Sequence, residues 1–402
     1  MQSKRSDLGT KSYLIFVLFG LITLLIGFNW FMWSPILKKV IEEQMGVRPV
    51  FSEMLLSSVP FMLVLFSYFA GGYADLSPKK STTIAALLLG IFTLLRAAFS
   101  FNFTYMFLAN LGFALSSVFA FTSWSPLTYR LFSKDKAARI TAYFTAFLTL
   151  GQILAFFISY PLVNSVGLSN ALLITGIVSL TVAVVYIFVI RDWDDSLPDG
   201  IVSERLPITE GFKIVFSNKS LIVLSLIALF DIGVFKWLAG WYPKLNVAFK
   251  GIDPTKASFI NAFILIGCLT GAMTIPDLSH RIKKVKPFFI ILPLIVILML
   301  FTSIFVNEYA LLLLVSMILG IALFPIYPLG LHLPSAFSSV GIKNAGIGSA
   351  IILIFANIGG TIFPIIGSLT KGYTSSVITF GIIPMAIIAL LGLVFEDPDT
   401  YR

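Results

Sequence analysis

The sequence predicts an all-α polytopic membrane protein with twelve transmembrane helices, arranged as two pseudo-symmetric bundles of six. Three observations predict this fold class. Of the 402 residues, 58% are hydrophobic and only 12% are charged. In a soluble domain, roughly half of the residues are hydrophobic and roughly a quarter are charged. Twelve apolar stretches are long enough to cross a bilayer, which takes about 20 residues. Short segments also recur in the two halves of the chain at a nearly constant spacing, which indicates a duplicated unit.

The predicted spans are separated by glycine, proline and clusters of charge. In chain order they cover residues 12–34, 54–74, 80–100, 104–126, 138–162, 169–190, 219–243, 256–276, 287–306, 310–333, 344–370 and 374–395. Ser77-Pro78 and Asp253-Pro254 each place a capping side chain before a first-turn proline, at the starts of the third and eighth spans. The first apolar stretch is longer than that of a cleavable signal peptide, so we expect it to remain as a span.

The positive charges predict the orientation of the spans. With both termini inside, the inner segments hold 19 of the 28 Lys and Arg residues and the outer segments hold 7, while Arg96 and Lys236 lie within spans. This bias matches the positive-inside rule. We therefore expect an integral protein of the cell membrane, plasma or inner, with both termini in the cytoplasm. The same placement accounts for the net charge of +9 without nucleic acid as a partner.

A polar stretch near the middle of the chain divides it into two halves. Six acids lie between Arg191 and Lys219, between the sixth and seventh spans. We interpret this stretch as a cytoplasmic linker whose role is connection. The predicted domains are an N-terminal six-helix bundle over 1–190, the linker over 191–218 and a C-terminal six-helix bundle over 219–402.

The two halves resemble each other at an offset of 202 or 203 positions. The four matches, in chain order, are Phe28-Asn29 with Phe230-Asp231, Ala74-Asp75-Leu76-Ser77 with Pro276-Asp277-Leu278-Ser279, Ser125-Pro126-Leu127 with Tyr327-Pro328-Leu329, and Tyr160-Pro161 with Phe363-Pro364. Because all four fall in order on corresponding spans, they indicate an internal duplication. Parallel halves of six spans are the architecture of one large class of transporter, with the solute site near the middle of the bilayer.

Residues 71–80, which read Gly-Gly-Tyr-Ala-Asp-Leu-Ser-Pro-Lys-Lys, join the second and third spans. This segment resembles the loop signature of the major facilitator superfamily, which has a glycine, an acid four residues later and a basic pair at its end. The matching positions are Gly71, Asp75, Lys79 and Lys80. The resemblance extends over all twelve spans and implies the fold of that superfamily.

This segment also departs from the signature at two positions. Leu76 stands where an arginine is usual, and Pro78 stands where a glycine is usual. The second copy keeps Asp277 and Arg281 but has no glycine equivalent to Gly71.

The signature implies a gate on the cytoplasmic side. The small Gly71 lets neighbouring helices approach closely. Asp75, at a helix end, can contact the N-terminus of another helix or a loop arginine. Such contacts would hold the cytoplasmic side closed and break when it opens. We favour this role over simple topology, in which the acid and the lysines only mark a cytoplasmic turn.

Asp231 is an acid at membrane depth, and such residues are candidates for function. It lies roughly 18 Å along the seventh span, close to the midplane, and Asn29 has the equivalent depth in the first span. Trp33 and Phe235 follow one turn later on the same helix faces. The resemblance places Asn29 and Asp231 across a central cavity, because the first, fourth, seventh and tenth spans line it in this superfamily.

Two roles are open for Asp231. In one, it binds a proton or a cationic part of the solute; in the other, it only ties helices together. Lys236 lies about 140° around an intact helix from Asp231, so the two pair only if the helix unwinds at Gly233, and snorkelling to outer headgroups is equally compatible. For Arg96, in the outer third of the third span, we expect a headgroup or loop partner.

Other polar residues in the spans are candidates for the solute path. Gln152 and Asn357 lie at similar depth in the fifth and eleventh spans, each next to glycine, and Tyr327 precedes the proline of the tenth span. We therefore take the candidate solute- or proton-binding residues to be Asn29, Trp33, Asp231, Gln152, Asn357, Tyr327 and Lys236.

The motifs that are missing narrow the function. No glycine-rich phosphate loop with Lys-Ser/Thr and no hydrolase or zinc-protease motif occurs, and one Cys and two His leave little for metal ligation. We expect no enzyme activity, no cofactor and no metal site. The leading hypothesis is a monomeric secondary active transporter that moves a small organic solute by alternating access, with a proton at Asp231 as candidate coupling ion. The alternatives are a transporter-like receptor or sensor that binds a solute without moving it, and a carrier of small anions such as cyanate or nitrate.

Overall fold

The computed structural model describes the backbone of residues 2–132, 134–195, 207–337 and 341–398. Within these ranges the chain is helical apart from short connections, and no strand is present. The α-helices are α1 (Gln2–Phe31), α2 (Trp33–Ile36), α3 (Pro49–Leu76), α4 (Pro78–Ala98), α5 (Phe103–Leu131), α6 (Lys134–Ile190), α7 (Ile208–Phe216), α8 (Lys219–Lys250), α9 (Pro254–Ile282), α10 (Lys286–Phe305), α11 (Tyr309–Leu323), α12 (Ile326–His332), α13 (Gly341–Gly367), α14 (Tyr373–Val377) and α15 (Ile383–Val394). Wider π-helical turns at Leu37–Gln44 and Ile378–Ile382 continue α2 and α14, and a 3₁₀ turn at Leu333–Ala336 follows α12.

The described residues contain 11 continuous stretches that are long and apolar enough to cross a membrane. One of them, Tyr143–Ile190, has 48 residues, which makes roughly 72 Å of helix against a hydrocarbon core of about 30 Å. Gly167 interrupts this stretch with a φ of 81°, a conformation that glycine adopts without steric penalty. Because each side of Gly167 is long enough for one crossing, the described residues contain twelve segments that could each cross a membrane. The predicted all-helical membrane fold is confirmed.

Two helix starts have the capping chemistry that the sequence predicts. The Ser77 hydroxyl accepts a hydrogen bond of 3.2 Å from the backbone N–H of Lys80 at the start of α4. The Asp253 carboxylate accepts one of 2.9 Å from the N–H of Thr255 at the start of α9. In both helices proline occupies the first turn, where its missing N–H leaves no helical hydrogen bond unmade.

Grouped by the closeness of their Cα atoms in space, the residues form two compact units. The first unit comprises Met1–Ile36, Glu43–Val47 and Leu65–Arg205. The second unit comprises Leu37–Glu42, Arg48–Val64 and Leu206–Arg402. The main division therefore falls inside the predicted linker, and two short segments around the connection between α2 and α3 belong to the second unit.

Glycine sets the closest helix packing in the first unit. A Cβ atom at Gly151 of α6 would overlap the carbonyl of Leu24 in α1, and a Cβ atom at Gly27 would overlap the carbonyl of Leu148. The two backbones therefore approach as closely as glycine allows. α4 packs against α5 and α6 on another side of this unit.

The second unit uses the same device in the equivalent helices. A Cβ atom at Gly359 of α13 would overlap the carbonyl of Leu229 in α8, and one at Gly320 of α11 would overlap that of Ile264 in α9. α10 packs against α11 and α15. Within each unit, then, the first membrane helix packs against the fifth and the third against the sixth.

Candidate functional site

Asp231 is a buried acid of the second unit. Its side chain, in the interior of α8, is 1% exposed. Among the described residues, neither carboxylate oxygen accepts a hydrogen bond of normal geometry. A buried carboxylate without donors or a counterion is costly to keep. Asp231 therefore remains a candidate for function.

The surroundings of Asp231 combine polar and aromatic groups. The main chain of Tyr327 lies next to its carboxyl group, and Cys268 lies within electrostatic reach of it. Lys236 holds its Nζ atom 4.8 Å from the ring centroid of Phe235. Because α8 remains helical through Gly233, Lys236 leaves the helix on a different face from Asp231. The structure thus brings Tyr327 to Asp231 and places Lys236 on another face of α8, where it shares Cys268 as a neighbour with Asp231.

Asn29, the repeat partner of Asp231, has a full set of partners in the first unit. Its Nδ2 atom donates to the Ser179 hydroxyl at 3.1 Å and to the carbonyl of Leu25 at 3.0 Å. Its Oδ1 atom accepts a hydrogen bond from the guanidinium group of Arg96. The same guanidinium donates to the backbone carbonyl of Asn29 at 3.1 Å. Asn29 is therefore held in place by α4 and α6.

Arg96 is the centre of a group that we call the Arg96 cluster, made of Arg96, Asn29, Trp33, Asn110 and Phe113. Arg96 donates to Asn110 Oδ1 at 3.1 Å, and the indole N–H of Trp33 donates to the same oxygen at 3.0 Å. The guanidinium carbon lies 4.5 Å from the ring centroid of Phe113 and 5.3 Å from that of Trp33. All five side chains are buried. The expected headgroup or loop partner for Arg96 was wrong, because the side chain turns into the unit and bonds to α1 and α5.

The repeat explains why Asp231 lacks the donors that Asn29 has. The positions 202 residues after Arg96 and Asn110 are Leu298 and Leu312. An apolar pair thus stands in the second unit where the first unit has a guanidinium and an amide. The carboxyl group of Asp231 is accordingly without its counterpart cation.

Gln152 and Asn357 lie on the helices that pack most closely within each unit. Gln152 follows Gly151, where α6 meets α1, and is buried. Asn357 lies two residues before Gly359, where α13 meets α8, and its Nδ2 atom donates to the Leu353 carbonyl of its own helix at 2.8 Å. Both predicted residues therefore lie at helix contacts inside a unit.

The first copy of the loop signature is tied to the end of α5. Arg130 donates hydrogen bonds to the backbone carbonyls of Asp75 and Leu76, at 2.5 and 3.2 Å. These carbonyls end α3 and have no partner within the helix, so an arginine side chain satisfies them. Asp75 is half-buried and Gly71 is buried.

A second contact holds the start of α4. The Asp195 carboxylate accepts hydrogen bonds from the Ser77 hydroxyl at 2.6 Å and from the N–H of Lys79 at 3.1 Å, and it lies 3.8 Å from Arg130. Lys80 is exposed. Asp195 follows the last span of the first unit, so the beginning of the predicted linker is bound to the signature. The sequence predicts only a connecting role for this stretch, and no local pattern indicates the contacts of Asp195.

The second copy is held differently. Asp277 and Arg281 are exposed. The acid that contacts this region is Asp397, whose Oδ1 atom accepts hydrogen bonds of 2.9 Å from the N–H groups of both Val285 and Lys286. Asp397 follows the equivalent aspartate of the first copy by 202 positions. The repeat therefore includes an acid after the sixth helix of each unit that caps the third.

Three ionisable residues that no sequence pattern indicated lie together in the second unit. The Lys244 Nζ atom lies 2.6 Å from Glu42 Oε1, 2.6 Å from Glu53 Oε1 and 3.4 Å from the Ser52 hydroxyl. We call these four residues the Lys244 cluster. Lys244 lies 202 positions from Glu42 and 191 from Glu53, so no local sequence pattern connects them. Over the described part of the chain, no three His, Cys, Asp or Glu side chains converge to hold a metal ion.

Comparison with known proteins places this geometry in context. The family model described as Major Facilitator Superfamily matches residues 19–364. An uncharacterized protein of Archaeoglobus fulgidus is 25% identical over 224 residues, which cover 55% of this chain and 99% of that protein.

Two solved structures are similar over nearly the whole chain. One is a bacterial homolog to the human lysosomal transporter Spinster, with a TM-score of 0.74 and 14% identity over 97% of this chain and 96% of that chain. The other is the nucleoside transporter NupG, with a TM-score of 0.69 and 16% identity over 95% of this chain and 98% of that chain. At these identities the likeness shows the shared fold.

Proposed function

The chain belongs to the major facilitator superfamily, and from this membership we propose that it is a secondary active transporter that moves a small organic solute by alternating access. In this proposal Asp231 binds the coupling proton. The protein works as a monomer in the cell membrane, with both termini in the cytoplasm.

One observation carries the role of Asp231. Its carboxyl group is buried in the middle of a membrane helix with no hydrogen bond of normal geometry among the described residues. The equivalent Asn29 is fully satisfied by its neighbours. A polar group that holds a helix in place has partners, as Asn29 has, because an unsatisfied one destabilises the fold. The unused hydrogen-bonding capacity of the Asp231 carboxyl group supports binding of a mobile partner.

Aromatic contacts near Asp231 support an organic solute. Phe230 lies 6.1 Å from Phe363 and Phe235 lies 5.4 Å from Phe324, both as edge-to-face pairs measured between ring centroids. Aromatic surfaces with a few polar groups are typical of small-molecule sites. Since the similar NupG structure is that of a nucleoside transporter, nucleosides are suitable first candidates, together with cationic amphipathic compounds.

The hydrogen bonds that Arg130 and Asp195 make around residues 75–79 support the gating role of the first copy of the signature. Arg130 and Asp195 together hold the end of α3 and the start of α4. In the second copy, Asp277 and Arg281 are exposed, so we assign the gating function to the first copy.

The test of this proposal is the Asp231→Asn variant. A thermal-shift screen of the purified protein first identifies a stabilising solute, and uptake of that labelled solute is then measured in proteoliposomes with and without a pH gradient. We expect D231N to lower gradient-driven accumulation by about tenfold or more, equivalent to about 1.4 kcal/mol of coupling. Solute exchange at equal pH should persist, because it needs no net proton movement. Loss of exchange as well would assign Asp231 to the solute's cationic group.

One control variant and two further outcomes separate the alternatives. Glu210→Gln removes an exposed acid of α7 that pairs with Lys213, and it should leave uptake unchanged. Unchanged gradient-driven uptake in D231N would remove Asp231 from the mechanism. A solute that stabilises the protein but never accumulates in the vesicles would indicate a receptor instead of a transporter.

A further inference from the structure

The Lys244 cluster joins three segments of the second unit. Glu42 lies in the π-helical turn after α2, Ser52 and Glu53 lie in the first turns of α3, and Lys244 lies in the last third of α8. Glu53 and Lys244 are 0% and 3% exposed. In an ion pair so deeply buried, the attraction between the charges must offset the free-energy cost of their desolvation, which requires short distances. Both Lys244–carboxylate distances are 2.6 Å.

The charges in this cluster do not balance. One ammonium group faces two carboxylates. Glu42 has further support, because its Oε1 atom accepts a hydrogen bond of 2.7 Å from Ser52 and its Oε2 atom lies 3.8 Å from the ammonium of Lys38, which is 36% exposed. The acid without adequate compensation is therefore Glu53.

Only one of the two carboxylate oxygens of Glu53 has a hydrogen-bond partner among the described residues. Oε1 accepts from Lys244, whereas Oε2 is buried with no hydrogen-bond partner among the described residues. The charged groups that act on Glu53 are Lys244 from α8 and Glu42 from the π-helical turn, and the part of α8 next to Oε2 is the uncharged Gly240. A carboxylate oxygen in such a place gains most from one additional positive charge.

We propose that Glu53 is a second proton-binding site of this protein, with the proton on Oε2. The proton comes from bulk water, and Lys244 keeps its own three protons and its pairing with Glu42. A metal cation is disfavoured, because the Lys244 ammonium already occupies the point between the two carboxylates. Protonation weakens the attraction between Glu53 and Lys244, so the proton controls how firmly the start of α3 is held to α8. The site requires neither Asp231 nor transport.

Infrared spectroscopy of the purified protein in liposomes tests this site directly. Upon acidification, a carbonyl-stretch band of a protonated carboxylic acid should appear that exchanges slowly in D₂O, as a buried group does. Labelling the wild-type protein with ¹³C-glutamate should shift this band, which a band from Asp231 would not do. This measurement needs no variant and therefore does not depend on how well a variant folds.

Variants then assign the band to one residue. E53Q should abolish it, whereas E42Q and D231N should retain it. K244M removes the ammonium that competes with the proton, so the band should persist to higher pH than in the wild type. Folding of each variant is checked by its elution as a single species and its helical circular dichroism.

Three outcomes would overturn the proposal. The first is that the labelled wild type shows no slowly exchanging glutamate band. The second is that such a band survives in E53Q. The third is that the band responds to replacement of choline by sodium at constant pH. Because D231N is one of the controls, failure here leaves the role of Asp231 untouched, and failure at Asp231 leaves this site untouched.

Discussion

Arg96 carries a guanidinium group into the first unit with amides and aromatic rings as its partners. Its hydrogen bonds go to the side chain and backbone of Asn29 and to Asn110, and its flat face lies 4.5 Å from the centroid of Phe113. Burial of such a group is tolerated when most of its donors are used and a ring faces the charge; the Nε atom of Arg96 has no hydrogen-bond partner among the described residues. Arg96 thereby fixes α1 and α5 to α4 and orients Asn29.

Replacing Arg96 by Met should therefore destabilise the first unit. The substitution keeps an apolar stem but leaves Asn29 Oδ1 buried without a donor. We expect a loss of about 2 kcal/mol, since interhelical hydrogen bonds in membranes are each worth about 0.6 to 1.7 kcal/mol. The measurement is the shift in the thermal unfolding midpoint of the detergent-purified protein.

A double variant distinguishes lost bonds from lost volume. Arg96→Met combined with Asn29→Leu removes both partners, so it should destabilise less than the sum of the two single changes. Additive effects would show that Arg96 acts through packing alone. Arg96→Lys retains the charge but not the forked geometry, and it should fall between the wild type and R96M.

The sequence located single residues well and their partners poorly. The depth of Asp231 and of Asn29 follows from counting along an apolar span, and the structure has both side chains buried. The partners of Arg96 lie 67 and 14 positions away, and those of Lys244 lie 202 and 191 positions away. No local pattern encodes such pairs, because the contact depends on how helices pack.

At the scale of elements, acids that follow the sixth helix of each unit complete the start of the third. α10 has no side-chain cap of its own, so Asp397 alone accepts from the N–H groups of Val285 and Lys286. α4 already has Ser77 as a local cap, and Asp195 adds to it. The local caps were predictable from Ser-Pro and Asp-Pro pairs. The distant caps were not, because they connect chain segments more than a hundred residues apart.

This difference predicts unequal effects of removing the two acids. Asp397→Ala should destabilise the start of α10 by about 1 to 2 kcal/mol, the value of a helix N-cap, and Asp195→Ala should affect the start of α4 less. Hydrogen–deuterium exchange of peptides that contain residues 285–288 and 79–82 measures both effects. Asp192→Ala, which removes a neighbouring exposed acid, is the control. Equal exchange in D397A and the wild type would contradict the capping role.

At the scale of the whole molecule, duplication organises both sequence and structure. The offset of 202 or 203 positions, read from four short matches, reappears at 202 in the paired caps Asp195 and Asp397. Glycine also makes the close contacts between the first and fifth membrane helices of each unit, although at positions that do not follow this offset. The sequence predicted twelve spans, and the described residues contain twelve segments long and apolar enough to cross a membrane. Their packing partners needed the structure, because an apolar helix in lipid shows no polar face that would reveal which side is covered.

The orientation of the chain in the membrane is a prediction at this scale. An excess of Lys and Arg on one set of connections, 19 against 7, holds those connections in the cytoplasm during insertion. Green fluorescent protein fused to the C-terminus should therefore fluoresce in a bacterial host, and alkaline phosphatase fused there should be inactive. The same phosphatase fused after Gly251, between α8 and α9, should be active. The opposite pattern at both points would show an inverted protein and would move residues 71–80 to the outer side. In that case Arg130 and Asp195 would hold an outer gate.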